Sequence, residues 1–352
     1  MSVSKKQCAE IGSEFWDVPQ GADNVNTNNR IFTKSTQWFL SGRSALQAII
    51  KEFKGCRTVA IPSWCCDSMV KPFVDAGLEV HFYPVYWENG LVQEIRYDSD
   101  VLFLMDYFGY TSYTELQVDL LDYKGLIIRD VTHSLFSGFY SDADYYFGSL
   151  RKWCGVWTGG YAWLQDGHKL IYDHQENDFG YISLREKAMQ LKSNYINGVI
   201  ADKSYLSVFN EAEEVLESVG VVGATARDVQ VALQLDVEYI RTQRRKNAVV
   251  LREAFPEWLM FREMKDTDCP MFVPIIVPGG KRDELRRYLI NNEIYCPVHW
   301  PISEYHTSEH HMIDNRTKYI YANELSLICD QRYTEEDMRR MVGIIKAFWK
   351  EA

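Results

Sequence analysis

Short apolar runs alternate with amphipathic stretches over much of this chain. TVAIP (58–62), LEVHFYPV (78–85), DVLFLM (100–105), LIIRD (126–130), ADYYFGS (143–149) and YAWLQ (161–165) read as strands. CDSMVKPFVDAG (66–77), closed by Gly77, and LQVDLLDYKG (116–125) read as helices between them. Buried strands separated by helices predict a mainly parallel sheet with right-handed crossovers. Upstream, Ser41 and Gly42 open a helix whose Leu46, Ile49, Ile50 and Phe53 keep helical spacing. Residues 165–225 read as mostly helical, and 226–255 as one long amphipathic helix ended by Pro256. PMFVPIIVPGG (270–280) and IYCPVHWPI (294–302) then read as strands flanking the helix KRDELRRYLINNEI (281–294). The segment from Glu324 begins extended and ends as a helix, with Thr334 and Asp337 at capping-box spacing.

The pattern predicts an α/β fold. A large domain (36–240) carries a mostly parallel sheet sandwiched by helices, and a small C-terminal α+β domain (241–352) packs on it. Residues 1–35 are polar and Asn-rich, and read as a loose arm that orders only against something else, such as a second subunit.

Composition narrows the function classes. The chain has 352 residues and a net charge of -11, which argues against nucleic-acid binding. No apolar run is long enough to span a bilayer, and no apolar signal core follows the basic residues of the N-terminus. Eight scattered cysteines are too sparse for a disulfide framework, so reduced thiols and a cytoplasmic location are expected.

The candidate chemistry lies at strand ends, the edge where parallel sheets bind ligands. Strand 126–130 ends in Asp130, with His133 three residues on; the next strand ends in Ser149, with Lys152 three residues on and Gly159-Gly160 beyond. Charged groups at the ends of buried strands are paired or used. Asp130 and Lys152 therefore form either a structural ion pair or a cofactor site. In such a site Asp130 pairs with a protonated ring nitrogen and Lys152 forms a Schiff base. His133 is either a ligand to the ring or a satisfied core histidine. Gly42, Arg43 and Ser44 open a helix, which is either an anion site or an ordinary capped start. Ser149-Leu-Arg-Lys152 also has the S-x-x-K spacing of serine acyl-enzymes, without the companion motifs. His306, His310 and His311 invite a zinc reading, but no cysteine or carboxylate cluster completes a set, and a surface or cleft-lining loop is expected; no metal is assigned. Cys65-Cys66 is either a reactive pair or buried packing.

As a set these residues resemble the DegT/DnrJ/StrS family of pyridoxal-phosphate enzymes, over roughly residues 35–349. SGRSAL looks like the family's phosphate-binding helix start, DVTHS like the segment whose Asp holds the pyridine nitrogen, and GSLRKWCGVWTGG like the Schiff-base lysine with its paired glycines. The resemblance implies a fold-type-I transferase using pyridoxal 5'-phosphate. Lys152 would hold the cofactor as an internal aldimine, and Asp130, His133, Ser149, Gly42, Arg43 and Ser44 would bind it. Trp64 or Cys66 stands near the register of the family's ring-stacking residue. The implied reaction moves an amino group, with glutamate as donor, to a keto-sugar that can be nucleotide-linked; the implied assembly is a homodimer with shared sites. A lyase or decarboxylase reaction uses the same Asp and Lys; a non-catalytic binding role is the other alternative, and the intact Asp130/Lys152 pair weighs against it because a pure binding module needs neither. The family's Asn-Tyr-Arg before QVALQL is replaced here by Gly223-Ala-Thr, with Arg227 nearby. Tyr107, Arg227, His299, Trp300 and the 306–311 segment are the substrate-recognition candidates.

Overall fold

The computed structural model describes residues 10–18, 31–95, 98–111, 123–138, 142–172, 180–307 and 313–351. Most of the helix expected over 116–125 and two of the three clustered histidines, His310 and His311, lie outside these residues. The first half of the chain contains β1 (Ile11–Gly12), β2 (Gln37–Phe39), α1 (Gly42–Ile50), β3 (Thr58–Pro62), α2 (Asp67–Asp75) and β4 (Glu79–Tyr83). There follow β5 (Val85–Trp87), β6 (Leu91–Gln93), β7 (Val101–Met105), β8 (Leu126–Asp130), β9 (Tyr145–Ser149) and β10 (Gly160–Leu164). The second half contains α3 (Tyr181–Ile196), α4 (Tyr205–Ser218), α5 (Ala226–Leu233), α6 (Val237–Ala254), β11 (Phe272–Ile276) and α7 (Arg282–Asn291). It closes with β12 (Ile294–Tyr295), α8 (Glu304–Thr307), α9 (Asn315–Asn323), β13 (Glu324–Ile328) and α10 (Glu335–Glu351).

Seven strands form the central sheet in the order β2-β10-β9-β8-β7-β3-β4. The five from β9 to β4 run parallel, and β10 and β2 are antiparallel additions at one edge. Strands β7 and β9 are buried along their whole length, as strands covered on both faces must be. The mostly parallel α/β architecture expected from the sequence is the one observed.

Two main cores hold the described residues. One surrounds the central sheet; the other lies around the antiparallel β11–β13 pair with α6, α7 and α10. Helix α6 joins them, with Ile240 in the first and Ala248 and Leu251 in the second. At the start of α10 the Asp337 carboxylate accepts from both the backbone N–H and the hydroxyl of Thr334.

Three expectations need correction. The stretch 226–255 is two helices, because the Asp236 side chain accepts from the Tyr239 N–H and caps a new start. Only Ile294 and Tyr295 of the 294–302 run form a strand; Pro297 and Pro301, lacking N–H groups, suit the irregular path beyond. Part of the arm is ordered against its own chain. Ile11 and Gly12 pair with Ile294 and Tyr295, and Ile11 is fully buried in the second core. Gly12 holds a φ of 96°, and a side chain there would press on the Tyr295 carbonyl.

Candidate functional site

The Asp130 and Ser149 ends of β8 and β9 lie on one edge of the sheet, and the chain turns there into a single 3₁₀ turn, Leu150–Lys152. Helix α1 begins directly against this edge. A Cβ on Gly42 would stand 3.3 Å from the Ser149 Cβ, and one on Gly160 would overlap the Ser41 carbonyl. The glycines thus allow β9, β10 and the start of α1 to meet. Ser41 caps α1 by accepting from the Ser44 N–H at 3.1 Å. The N–H groups of Gly42 and Arg43 belong to the first turn, which has no carbonyl four residues back to serve it. Arg43 donates through Nη1 to the Leu216 carbonyl at 3.3 Å, while its Nε is buried without a hydrogen-bond partner among the described residues.

These elements enclose a cavity of about 170 Å³. Gly42, Arg43, Cys66, Asp130, His133, Ser149 and Lys152 all line it, as do Thr132, His299 and Trp300. Seven of the nine residues proposed for the site from sequence are therefore brought together. Ser44 and Trp64 are not among them. The Ser44 hydroxyl donates to the Gly220 carbonyl, and buried Trp64 stacks on Tyr107 at 4.9 Å while donating to the His299 carbonyl at 2.5 Å. Tyr107 donates to the Trp64 carbonyl, and Arg227 lies over the Trp157 ring; neither lines the cavity.

The electrostatics differ from group to group. Asp130 accepts from the Thr132 N–H at 2.8 Å, and burial lifts its carboxyl to about 6 against that hydrogen bond. Burial, reinforced by His299 and Lys152, holds His133 well below the usual histidine range, so its ring is neutral. Its Nδ1 accepts from the Phe108 N–H at 3.4 Å, and Trp300 stacks on it with 6.0 Å between centroids. Burial also raises the Cys66 thiol, whose Sγ lies 2.9 Å from the Ser68 hydroxyl. Lys152 is exposed to the cavity and makes no hydrogen bond or ion pair among the described residues. An Asp130–Lys152 salt bridge is therefore absent among them. Behind the site the Asp106 carboxylate is consumed by Arg129 and Ser134.

Lys152 also borders a second space of about 400 Å³, together with Arg151, Glu213, His299 and the arm residues Ser13, Glu14 and Phe15. The sequence reading missed Glu14 and Glu213, since nothing local marks them; only the packing of the arm and of α4 brings them to Lys152. His306 corrects a further expectation. It lies on α8 rather than in a loop, and it is fully buried, stacked on Phe82 and within 3.2 Å of the Tyr321 hydroxyl. Its Nδ1 lies 3.0 Å from the Ser303 hydroxyl and its Nε2 3.6 Å from the Cys65 thiol, so histidine and cysteine are both packed in the interior. Among the described residues no group of three His, Cys, Asp or Glu is arranged to hold a metal, and no helix is long and apolar enough to cross a membrane.

No protein-family model matches the sequence, and no curated protein matches it. Solved structures do match in fold. Helicobacter pylori PseC, an aminotransferase involved in the biosynthesis of pseudoaminic acid, is 14% identical with a TM-score of 0.63, covering 97% of this chain and 94% of its own. A DegT DnrJ EryC1 StrS aminotransferase from Brucella abortus is 14% identical with a TM-score of 0.57, covering 89% and 85%. The PLP form of Spr1654 from Streptococcus pneumoniae is 14% identical with a TM-score of 0.60, covering 97% and 93%. The fold is thus that of the fold-type-I aminotransferases, as the sequence resemblance implied.

Proposed function

We propose that this chain is a pyridoxal 5'-phosphate-dependent aminotransferase with Lys152 as its catalytic residue. The observation that carries this reading is the shared cavity. It gathers a buried carboxylate, an unpaired lysine and the open start of α1 from separate elements. The residues fit the cofactor. The N–H groups of Gly42 and Arg43, the orphaned Arg43 Nε and the Ser149 hydroxyl suit a phosphate. Asp130, costly to ionise in its present surroundings, gains a counter-charge from a protonated ring nitrogen. Neutral His133 offers a ring face and a hydrogen bond beside it. When bound, the cofactor supplies the aldehyde that joins Lys152 and the electron sink that acidifies a substrate C–H.

The chain's own residues supply the rest. Lys152 would hold the cofactor through its amine, and that amine would carry the proton to and from the reacting carbon. Asp130 would keep the ring nitrogen protonated. Glutamate as donor, a keto-sugar as acceptor and a homodimer follow from the resemblance, and a cytoplasmic location from the scattered cysteines. The solved neighbours with this fold include sugar-biosynthesis aminotransferases, which favours the same acceptor class.

The test is a visible spectrum of the protein loaded with pyridoxal phosphate, before and after glutamate. Bleaching of the cofactor band with release of 2-oxoglutarate is expected. A band that glutamate leaves unchanged, or one that persists undiminished in Lys152→Ala, contradicts the reading.

A further inference from the structure

The 400 Å³ space beside Lys152 has an ordered arrangement of charge. Its carboxylates stand in front. The Glu14 side chain is 47% exposed and that of Glu213 48%. The guanidiniums that neutralise them stand behind, with Arg185 1% exposed and Arg151 13%. Both terminal nitrogens of Arg185 reach Glu14 Oε2 at 3.2 Å, and Arg151 donates to both oxygens of Glu213. The other two arginines of this space are also committed. Arg332 pairs with Asp330 and donates to the Ser13 and Glu14 carbonyls. Arg244, 1% exposed, donates to Gln331 Oε1 and the Met271 carbonyl.

Apart from Lys152, which the proposed cofactor would occupy, a ligand entering here therefore meets acceptors before donors. A carboxylate only accepts hydrogen bonds, so it favours hydroxyl and ammonium groups and repels phosphate or carboxylate. Glu14 stays ionised, because Arg185, Lys152 and Arg151 outweigh its burial and hold it down to about 2. Its position is fixed by the chain's own arm. Lys192 donates to the Glu14 carbonyl at 2.6 Å, and β1 pairs with β12.

We propose that Glu14, with Glu213, makes this lobe select a hydroxyl- or ammonium-bearing part of the substrate and exclude a phosphorylated or carboxylated one. Glu14 is then a specificity-determining residue contributed in cis by the N-terminal arm. The inference rests on Lys152 being the reacting residue of the proposed transfer. It places the polyol or amino-polyol end of the acceptor in the 400 Å³ space.

The test uses full-length Lys152→Met protein without cofactor and in saturating inorganic phosphate, so that no lysine amine at the site condenses with a sugar and the phosphate cradle at the start of α1 is already filled. Glucosamine, glucose and glucose 6-phosphate are titrated calorimetrically. Glucosamine is expected to bind tightest, and glucose 6-phosphate about tenfold or more weaker. Glu14→Gln keeps an acceptor for Arg185, and should bring glucosamine to the level of glucose, a loss of about tenfold, with glucose changed by less than about twofold. Glu213→Gln serves in the same way if the first variant does not fold. Equal binding of glucose 6-phosphate and glucosamine, an unchanged ratio in a folded variant, or no binding of any of the three overturns the proposal. Failure of the wild-type protein to take up pyridoxal phosphate would instead overturn the transaminase reading, and the titrations read selectivity independently of it.

Discussion

Lys152 stands between two regions that treat their polar groups in opposite ways. On the sheet-edge side, Asp130 is buried without a cationic partner among the described residues, His133 is held neutral, and Arg43 Nε has no partner. On the arm side the charges are paired acid to base, although Arg151 Nε and Arg185 Nε, like Arg43 Nε, are buried without a hydrogen-bond partner among the described residues. Lys192 lies 3.2 Å from Glu10, Lys203 3.2 Å from Glu10 and 2.7 Å from Glu293, and Arg185 3.2 Å from Glu14. Buried polar groups are ordinarily satisfied, so a cluster that is not marks a place where a ligand completes the set. A cluster whose charges are paired with one another marks a place built for shape. The sheet edge thus reads as the chemical half of the site and the arm as its wall.

The strongest challenge to that contrast is Asp130→Asn. Amino transfer from glutamate should fall roughly 100- to 1,000-fold, as expected when a charge-stabilising group is removed. The same change should stabilise the cofactor-free protein. Burial raises the folded carboxyl from 3.8 to about 6, so the folded state binds this proton more tightly than the unfolded state. Stability from this group is present at low pH and declines as pH rises from about 4 to about 6, by up to about 3 kcal/mol. The Asn variant should melt higher than wild type at neutral pH and lack that decline; a lower melting temperature at neutral pH would remove the contrast.

The arm side should respond oppositely. Glu10→Gln strips the buried Lys192 of its carboxylate and should cost about 3 kcal/mol in urea unfolding. Lys192→Met should cost less, because Lys203 and the Tyr205 hydroxyl still serve Glu10. Equal losses would mean that the network is not shared in this way. Gly160→Ala forces a Cβ onto the Ser41 carbonyl and should cost about 2 kcal/mol while weakening phosphate binding at α1. The smallest effect is expected from Ser41→Ala, about 1 kcal/mol from the lost helix cap, read by thermal unfolding.

The two halves also differ in how far they can be read from sequence. Asp130, His133, Ser149 and Lys152 fall within 23 residues, and the strand ends that carry them are marked by apolar runs. Period and position suffice there, because parallel strands deliver their carboxyl ends to one edge. The arm offers no such signal. Arg332 donates to the Ser13 carbonyl from 319 residues away, and Tyr333 donates to the Gly12 carbonyl from 321. Polar composition made residues 10–18 look unattached, although the β1–β12 pair, the buried Ile11 and the buried Glu10–Lys192 ion pair attach them. His306 was misread for a related reason: its polar surroundings in EYHTSEHH suggest a surface or cleft-lining loop, whereas it is buried against Phe82 and Tyr321. The ring-stacking register falls near Cys66, and Trp64, two residues earlier, has its face taken by Tyr107.

The most direct test of the central claim is to load the protein with pyridoxal phosphate, reduce it with borohydride and map the modified peptide by mass spectrometry. The account predicts a single stable adduct on Lys152. An adduct on another lysine, or none, would contradict it.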